Sequence, residues 1–273
     1  MSTDKMVISV ALFLAGLLVF VFGSPYYRVF ATNWNQTYYV LLAVGLLILT
    51  IIFSRVPSLS RFVPAAYAFL IASVALVVLK AGFFNLSIKA ANQLQEIAID
   101  KASQFLHIVP VILLMTLLAR KDLGSIFLQT GQLKQGLTFG MISFISFAVL
   151  SYLINRGNAD FLQLVFKNIP WLLLFVLANS IMEEFWFRAI FLKPFDTLVG
   201  RTAAIFITAL VFGLSHINAT YEFPGGGVVF GIVVFTLGAI GAYAMLKDQS
   251  LIGPVLFHAG YDLLIILPVI NSI

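Results

Sequence analysis

Residues 171–192 read WLLLFVLANSIMEEFWFRAIFL, an apolar stretch long enough to cross a hydrocarbon core of about 30 Å as a helix. The stretch nevertheless contains two adjacent acids, Glu183 and Glu184, with Arg188 one turn further on. Each ionised side chain near the centre of a bilayer costs roughly 2.5 to 3.5 kcal/mol on insertion scales, so such residues indicate a functional site. The stretch therefore predicts a membrane-spanning helix that carries a site.

The rest of the chain is similarly apolar. Of its 273 residues, 61% are hydrophobic and 10% are charged, which excludes a soluble globular domain and predicts an integral membrane protein. We expect an all-α fold, a polytopic transmembrane helical bundle of about eight to nine spans around a buried polar catalytic cavity. The apolar stretches that predict these spans are residues 6–23, 38–53, 62–79, 105–119, 137–154, 169–192, 202–217, 228–246 and 252–270.

The polar residues at membrane depth divide the chain into two parts. Nearly all of them lie in the last four spans, so we assign residues 1–168 to N-terminal transmembrane helices and residues 169–273 to catalytic ones, together one membrane domain. Residues 82–104 alternate apolar and polar side chains in a roughly helical rhythm. This pattern fits an interfacial amphipathic helix or a connector packed over the bundle. His107 follows, and we expect it at the membrane surface.

The composition also excludes several classes of partner and site. The chain has no cysteine, which rules out disulfides, thiolate metal sites and a cysteine nucleophile. Its net charge of +5 does not predict nucleic-acid binding, because the basic residues are scattered through short loops. Nine of them fall on the side of the N-terminus and six, including Arg28 and Lys101, on the opposite side, so we expect a cytoplasmic N-terminus. The sequence specifies no oligomeric state.

The titratable residues of the late spans form one constellation. Glu183, Glu184 and Asp262 are the acids that fall well inside predicted spans, and His216 and His258 lie in late spans as well. Spans six and seven form an antiparallel hairpin in this prediction, which brings Glu183 and His216 to a similar depth. A carboxylate and an imidazole that meet at a buried water are the components of water-activated amide hydrolysis.

This chemistry gives each residue an expected role. Glu183 acts as the general base, and His216 holds the water or passes a proton to the leaving amine. His258 donates a hydrogen bond to the developing oxyanion, and Asp262 orients His258. The supporting residues share helix faces with their partners at a spacing of four: Glu184 with Arg188, and Phe212 with His216.

Other interpretations use the same side chains. Glu183, His216 and His258 could bind zinc with an open position for water. We favour no cofactor, because the spacing does not resemble the His-Glu-x-x-His arrangement of zinc proteases. The residues could also form hydrogen bonds between the helices of a non-enzymatic immunity or scaffold protein, or lie on the translocation path of a transporter.

Four short motifs, EEFWFR (183–188), FGLSH (212–216), FTLG (235–238) and HAGYD (258–262), occur in this order. Together they resemble the CAAX-protease and bacteriocin-processing membrane proteins, also called the Abi family, which include the type II CAAX prenyl endopeptidases. The resemblance covers roughly residues 170–265. It implies an all-helical intramembrane endopeptidase whose partners are the lipid bilayer and a membrane-associated peptide or protein substrate, in some members prenylated.

The resemblance also implies roles for individual positions. Glu183 and His216 correspond to the residues of water activation, in a mechanism described as glutamate-based and also labelled metalloprotease. His258 and the last motif position correspond to the residues that stabilise the oxyanion. That last position is Asp262 here, whereas the prenyl endopeptidases carry asparagine, and an ionised aspartate cannot donate a hydrogen bond to an oxyanion. Many bacterial relatives are linked instead to peptide maturation, bacteriocin immunity or surface-protein display.

Overall fold

A computed structural model describes residues 2–23, 35–218 and 225–270, and all regular structure within these ranges is helical. The predicted all-α class is therefore confirmed. Two π-helical turns, Leu17–Val21 and Glu184–Ala189, extend helices of the bundle. The α-helices are α1 (Thr3–Gly16), α2 (Asn35–Arg55), α3 (Val63–Ala81), α4 (Gln93–Leu118), α5 (Leu133–Asn155), α6 (Phe161–Glu183), α7 (Leu192–Val199), α8 (Arg201–His216), α9 (Gly226–Asp248) and α10 (Ile252–Ile270).

The helices account for the predicted spans. Two apolar helices are short, Arg201–His216 and Ile252–Leu267. Each of the nine predicted spans falls on one of these or on a longer segment, so the chain is an integral membrane protein built as a helical bundle. The segments of the described ranges that are long and apolar enough to cross a membrane are Thr3–Val21, Thr37–Arg55, Pro57–Ala81, Gln93–Leu118, Leu133–Asn155, Phe161–Val199 and Gly226–Asp248.

The interfacial helix predicted near residues 82–104 does not form as a separate element. The first part of this segment is irregular, and from Gln93 onward it is the start of α4, which is 26 residues long. Asn92 caps this start, because its side-chain oxygen accepts a hydrogen bond from the backbone N–H of Gln95 at 3.0 Å. Lys101, which the span prediction left in a loop, consequently lies inside the helix.

Side chains of α4 hold the irregular connector that precedes it. His107 Nε2 accepts a hydrogen bond from the backbone N–H of Phe84 at 2.8 Å, and His107 Nδ1 donates to the carbonyl of Ser103 at 2.6 Å. The Ser103 hydroxyl accepts from the N–H of Leu86 at 3.1 Å. His107 is 0% exposed, so its side chain is buried within the protein. Its Nε2 binds the connector, and its Nδ1 is held by a carbonyl of α4 itself.

The helix that carries the two adjacent acids continues beyond them. α6 passes through the π-helical turn Glu184–Ala189 into α7, so the helical segment Phe161–Val199 extends over 39 residues. A π-helical turn widens the helix locally and often occurs at functional sites. Gly200, with φ of +92°, then reverses the chain into α8. The predicted hairpin between spans six and seven thus turns at this glycine.

The helices with polar side chains pack around a common interior. α10 contacts α6 and α9, α8 contacts α9, and α4 contacts α6. The approach of α8 to α9 depends on small residues, because a Cβ added to Gly213 would lie 2.7 Å from the carbonyl oxygen of Gly231. α4, from the N-terminal half of the chain, forms one wall of this interior.

The connector before α4 yields a stability prediction. Replacing His107 with Leu removes the acceptor of the Phe84 N–H, and loss of a hydrogen bond costs about 0.5 to 1.5 kcal/mol. We expect the free energy of unfolding, measured by denaturant titration in detergent, to fall by this amount. Lys89→Leu, at an exposed position of the same connector, is the control and leaves stability unchanged. Equal stability of His107→Leu and wild type would show that the connector is held by other contacts.

Candidate active site

Polar side chains from four helices line a small void of about 30 Å³. Glu183 comes from α6, His216 from α8, and His258 and Asp262 from α10. Lys101 of α4 also lines the void, as do apolar side chains of α9. A void of this size has room for a water molecule, and polar groups on several sides supply the partners that a buried water needs.

Glu183 lies at the centre of this arrangement, and its two carboxylate oxygens have different neighbours. Oε1 lies 3.3 Å from Lys101 Nζ. Oε2 lies 3.9 Å from His216 Nε2 and 3.5 Å from His258 Nε2. The cation therefore holds one oxygen, and the other oxygen faces the two imidazoles across the void.

His216 is oriented by its own helix. Its Nδ1 lies 2.8 Å from the carbonyl oxygen of Phe212, and a carbonyl can only accept, so Nδ1 carries the proton and donates. The Phe212 ring fixes the imidazole further by an edge contact at a centroid distance of 4.5 Å. Nε2 is left as an acceptor directed at Glu183 Oε2, which is also an acceptor. Two acceptors 3.9 Å apart are suited to a bridging water.

His258 is surrounded by carboxylates. Its Nδ1 lies 2.8 Å from Glu184 Oε1, and its Nε2 lies 3.5 Å from Glu183 Oε2 and 3.6 Å from Asp262 Oδ1. Tyr261 stacks on the imidazole face at a centroid distance of 4.4 Å. Glu184, rather than Asp262, makes the closest of these contacts, so the residue expected to support Arg188 also orients His258.

The second acid belongs to a buried ion pair. Glu184 Oε1 contacts the Arg188 guanidinium, and each side chain is 1% exposed. Arg188 Nε donates to the carbonyl oxygen of Gly238 at 3.3 Å, and its guanidinium lies 4.3 Å from the centre of the Phe212 ring. A Cβ at position 238 would lie 3.2 Å from Arg188 Nη2. The FTLG motif thus contributes an acceptor and space for the arginine.

Sequence analysis missed two residues of this site. Lys101 was assigned to a loop because its polar neighbours hid the first turns of α4. Asn179 donates to Asp262 Oδ2 at 3.0 Å, and its position one helical turn before Glu183 was a signal that could have identified it.

A larger cavity of about 320 Å³ adjoins the void. Its lining is partly apolar, with Leu76, Met182 and Trp186, and partly polar, with Asn85 and Gln104. Its lining also includes Phe20, in the π-helical turn that extends α1, and Leu79, near the end of α3. The residues that border both the cavity and the void are Lys101, Glu183 and His216.

The glutamates of the site already have cationic neighbours, Lys101 for one and Arg188 for the other. Within the part of the chain that the structure describes, no group of three or more His, Asp or Glu side chains is placed to hold a metal ion.

These features define an integral membrane protein with a buried glutamate and histidine site, and one segment of the chain matches a known family. Residues 165–264 match the family model described as type II CAAX prenyl endopeptidase Rce1-like. The predicted resemblance is confirmed over this segment, which supports a CAAX-type intramembrane protease, a membrane peptidase. The segment contains every residue described above around the void except Lys101. No curated protein and no solved structure matches the chain.

The buried ion pair yields a prediction for stability. Arg188→Met leaves the Glu184 carboxylate buried without its cation, and removing one partner of a buried pair costs about 3 to 5 kcal/mol. We expect the free energy of unfolding in detergent to fall by this amount. Arg201→Met, at the exposed start of α8, is the matched control and has little effect. A stable Arg188→Met protein would show that the pair does not hold the site.

Proposed function

We propose that the protein is a glutamate-type intramembrane endopeptidase that hydrolyses a peptide bond of a membrane-associated peptide or protein. The observation that carries the proposal is the void bounded by Glu183, His216 and His258, which adjoins a cavity large enough for a peptide segment. The void supplies a place for the water and the cavity a place for the substrate. Glu183 and His216 border both, so they lie where the two reactants meet.

The first step is attack of the water on the carbonyl carbon of the scissile bond. The water donates one hydrogen bond to Glu183 Oε2 and another to His216 Nε2, the two acceptors that face each other across 3.9 Å. As the bond between the water oxygen and the carbon forms, Glu183 takes one proton and the electron pair of the C=O π bond moves to the carbonyl oxygen. The product of this step is a tetrahedral oxyanion.

The second step breaks the carbon–nitrogen bond. The oxyanion re-forms the carbonyl, the nitrogen leaves with the bonding pair, and the proton held by Glu183 is delivered to it, directly or through His216. The products are a carboxylic acid and an amine, which together contain the atoms of the peptide and one water. His258, held by Glu184, faces the void with Nε2 and is placed to donate to the oxyanion.

The lining of the cavity supports an amphipathic substrate. Its apolar residues, with Phe20, Leu76 and Trp186, fit a hydrophobic segment or a lipid chain, and its polar residues fit the peptide backbone. We therefore include a farnesylated CAAX peptide among the substrates to be tested. A prenyl requirement would be seen as loss of cleavage of the same peptide without its lipid.

The orientation of the bundle is part of the same proposal. The excess of basic residues on the N-terminal side favours a cytoplasmic N-terminus, although one residue of that count, Arg28, lies outside the described residues. α1 and α3 run away from this side, and the cavity lies at their far ends. The substrate then reaches the site from the non-cytoplasmic half of the membrane.

The decisive measurement is cleavage by variants of the proposed base. We expect purified Glu183→Gln and His216→Ala to lose roughly 10²- to 10⁴-fold in kcat on a quenched membrane-peptide library, because a general base contributes about this factor. Glu96→Gln makes the same chemical change at an exposed position of α4 and retains activity. Full cleavage by Glu183→Gln, or no cleavage by a folded wild type, would contradict the protease and favour an immunity or scaffold protein.

Metal removal tests the glutamate mechanism against the zinc alternative. We expect the purified enzyme to contain far less than one zinc per chain and to keep its activity after dialysis against a strong chelator. The physical reason is that Glu183 activates the water as a base and already has Lys101 as its cationic neighbour. Stoichiometric zinc, with activity lost on chelation and restored by the metal, would establish a metalloprotease instead.

A further inference from the structure

Lys101 holds a position in the site that the matched family segment does not contain. It lies in the first third of α4, outside residues 165–264, and its side chain is 14% exposed. Its Nζ is 3.3 Å from Glu183 Oε1. A lysine ammonium that reaches a buried carboxylate inside a membrane protein is a functional residue by default.

The two cavities show what this ammonium faces. Lys101 borders the large cavity and the inner void, together with Glu183 and His216. If the peptide occupies the large cavity and the water occupies the void, the scissile carbonyl lies at the boundary between them. The ammonium of Lys101 is therefore adjacent to the carbonyl on which negative charge develops.

The carboxylates around the void disfavour an oxyanion, and a positive charge would offset this effect. Asp262 accepts a hydrogen bond, because Oδ2 accepts from Asn179 Nδ2 at 3.0 Å, and its Oδ1 lies 3.6 Å from His258 Nε2. Glu183 and Asp262 both direct negative charge towards the place where the oxyanion forms. A fixed cation at that place lowers the energy of the oxyanion more than that of the neutral carbonyl, which is the condition for catalysis.

We propose that Lys101 is a catalytic residue of this protein, which donates a hydrogen bond from its ammonium to the oxyanion of the tetrahedral intermediate. This inference rests on the proposed function. Lys101 keeps its proton throughout, so it changes no atom or electron count in the two steps of hydrolysis. It supplies the donor that a carboxylate at position 262 cannot supply.

The test separates binding of the substrate from stabilisation of the intermediate. We expect Lys101→Met to lose roughly 10²- to 10³-fold in kcat, the usual effect of removing one oxyanion donor, with KM changed by less than about 3-fold. Lys101→Arg, which keeps the charge, recovers part of the rate. Lys89→Met, at an exposed position of the preceding connector, behaves like wild type. Thermal unfolding in detergent establishes that each variant is folded.

A second measurement separates contact with the oxyanion from neutralisation of the base. A phosphinate analogue of the cleaved peptide carries a tetrahedral anionic centre, and we expect Lys101→Met to weaken its binding by the same factor as kcat. The loss persists in the Glu183→Gln background, because the contact is with the anion. Loss of analogue binding that disappears in this background would overturn the inference and make Lys101 a positioning residue for Glu183.

The outcomes also distinguish failure of the role proposed for Lys101 from failure of the proposed protease activity. If wild type cleaves, Glu183→Gln is inactive and folded Lys101→Met keeps the wild-type kcat, the role of Lys101 is overturned and the protease stands. If folded wild type cleaves no peptide of the library, the protease and the role of Lys101 are both overturned. Loss of kcat with retained KM and weakened analogue binding in both backgrounds supports the inference.

Discussion

Arg188 carries its charge into the interior of the bundle with 1% of its side chain exposed, and the equally buried carboxylate of Glu184 compensates it. A charge in such a place is tolerated only when it is paired and hydrogen-bonded. The same Glu184 oxygen lies 2.8 Å from His258 Nδ1, so the pair also sets the orientation of the imidazole. The other ring nitrogen is thereby turned towards Glu183, and the geometry around the void depends on an ion pair that does not border it.

The backbone makes room for this pair in two ways. The π-helical turn Glu184–Ala189 widens the helix just after Glu183, where two consecutive acids and an arginine must all be accommodated in the interior. On the facing helix, Gly238 supplies its carbonyl oxygen to Arg188 Nε and has no side chain to obstruct the guanidinium. The backbone conformation of one helix and a glycine of another therefore make burial of the pair possible.

The fold could be predicted from the sequence largely because the bilayer imposes one length and one kind of structure on each apolar stretch. The prediction failed where a helix is polar. The first turns of α4 carry Gln93, Glu96 and Asp100, which hydropathy assigns to a loop, so Lys101 was placed outside the helix. The proximity of Glu183 to His216 followed from the hairpin, because depth can be counted along the chain. Counting residues along the chain could not identify the carboxylate that orients His258, because this depends on how three separate helices pack.

The balance of charge explains why α4 belongs to the site. Three carboxylates lie around the interior, those of Glu183, Glu184 and Asp262. An amide at position 262, as the prenyl endopeptidases carry, would remove one of these charges, whereas the aspartate of this chain keeps it. Arg188 compensates one carboxylate and Lys101 a second, and His258 stands between the acids as an imidazole with acceptors on both nitrogens. Because the lysine comes from outside residues 165–264, the segment with the recognisable motifs is electrostatically incomplete without the N-terminal half of the bundle.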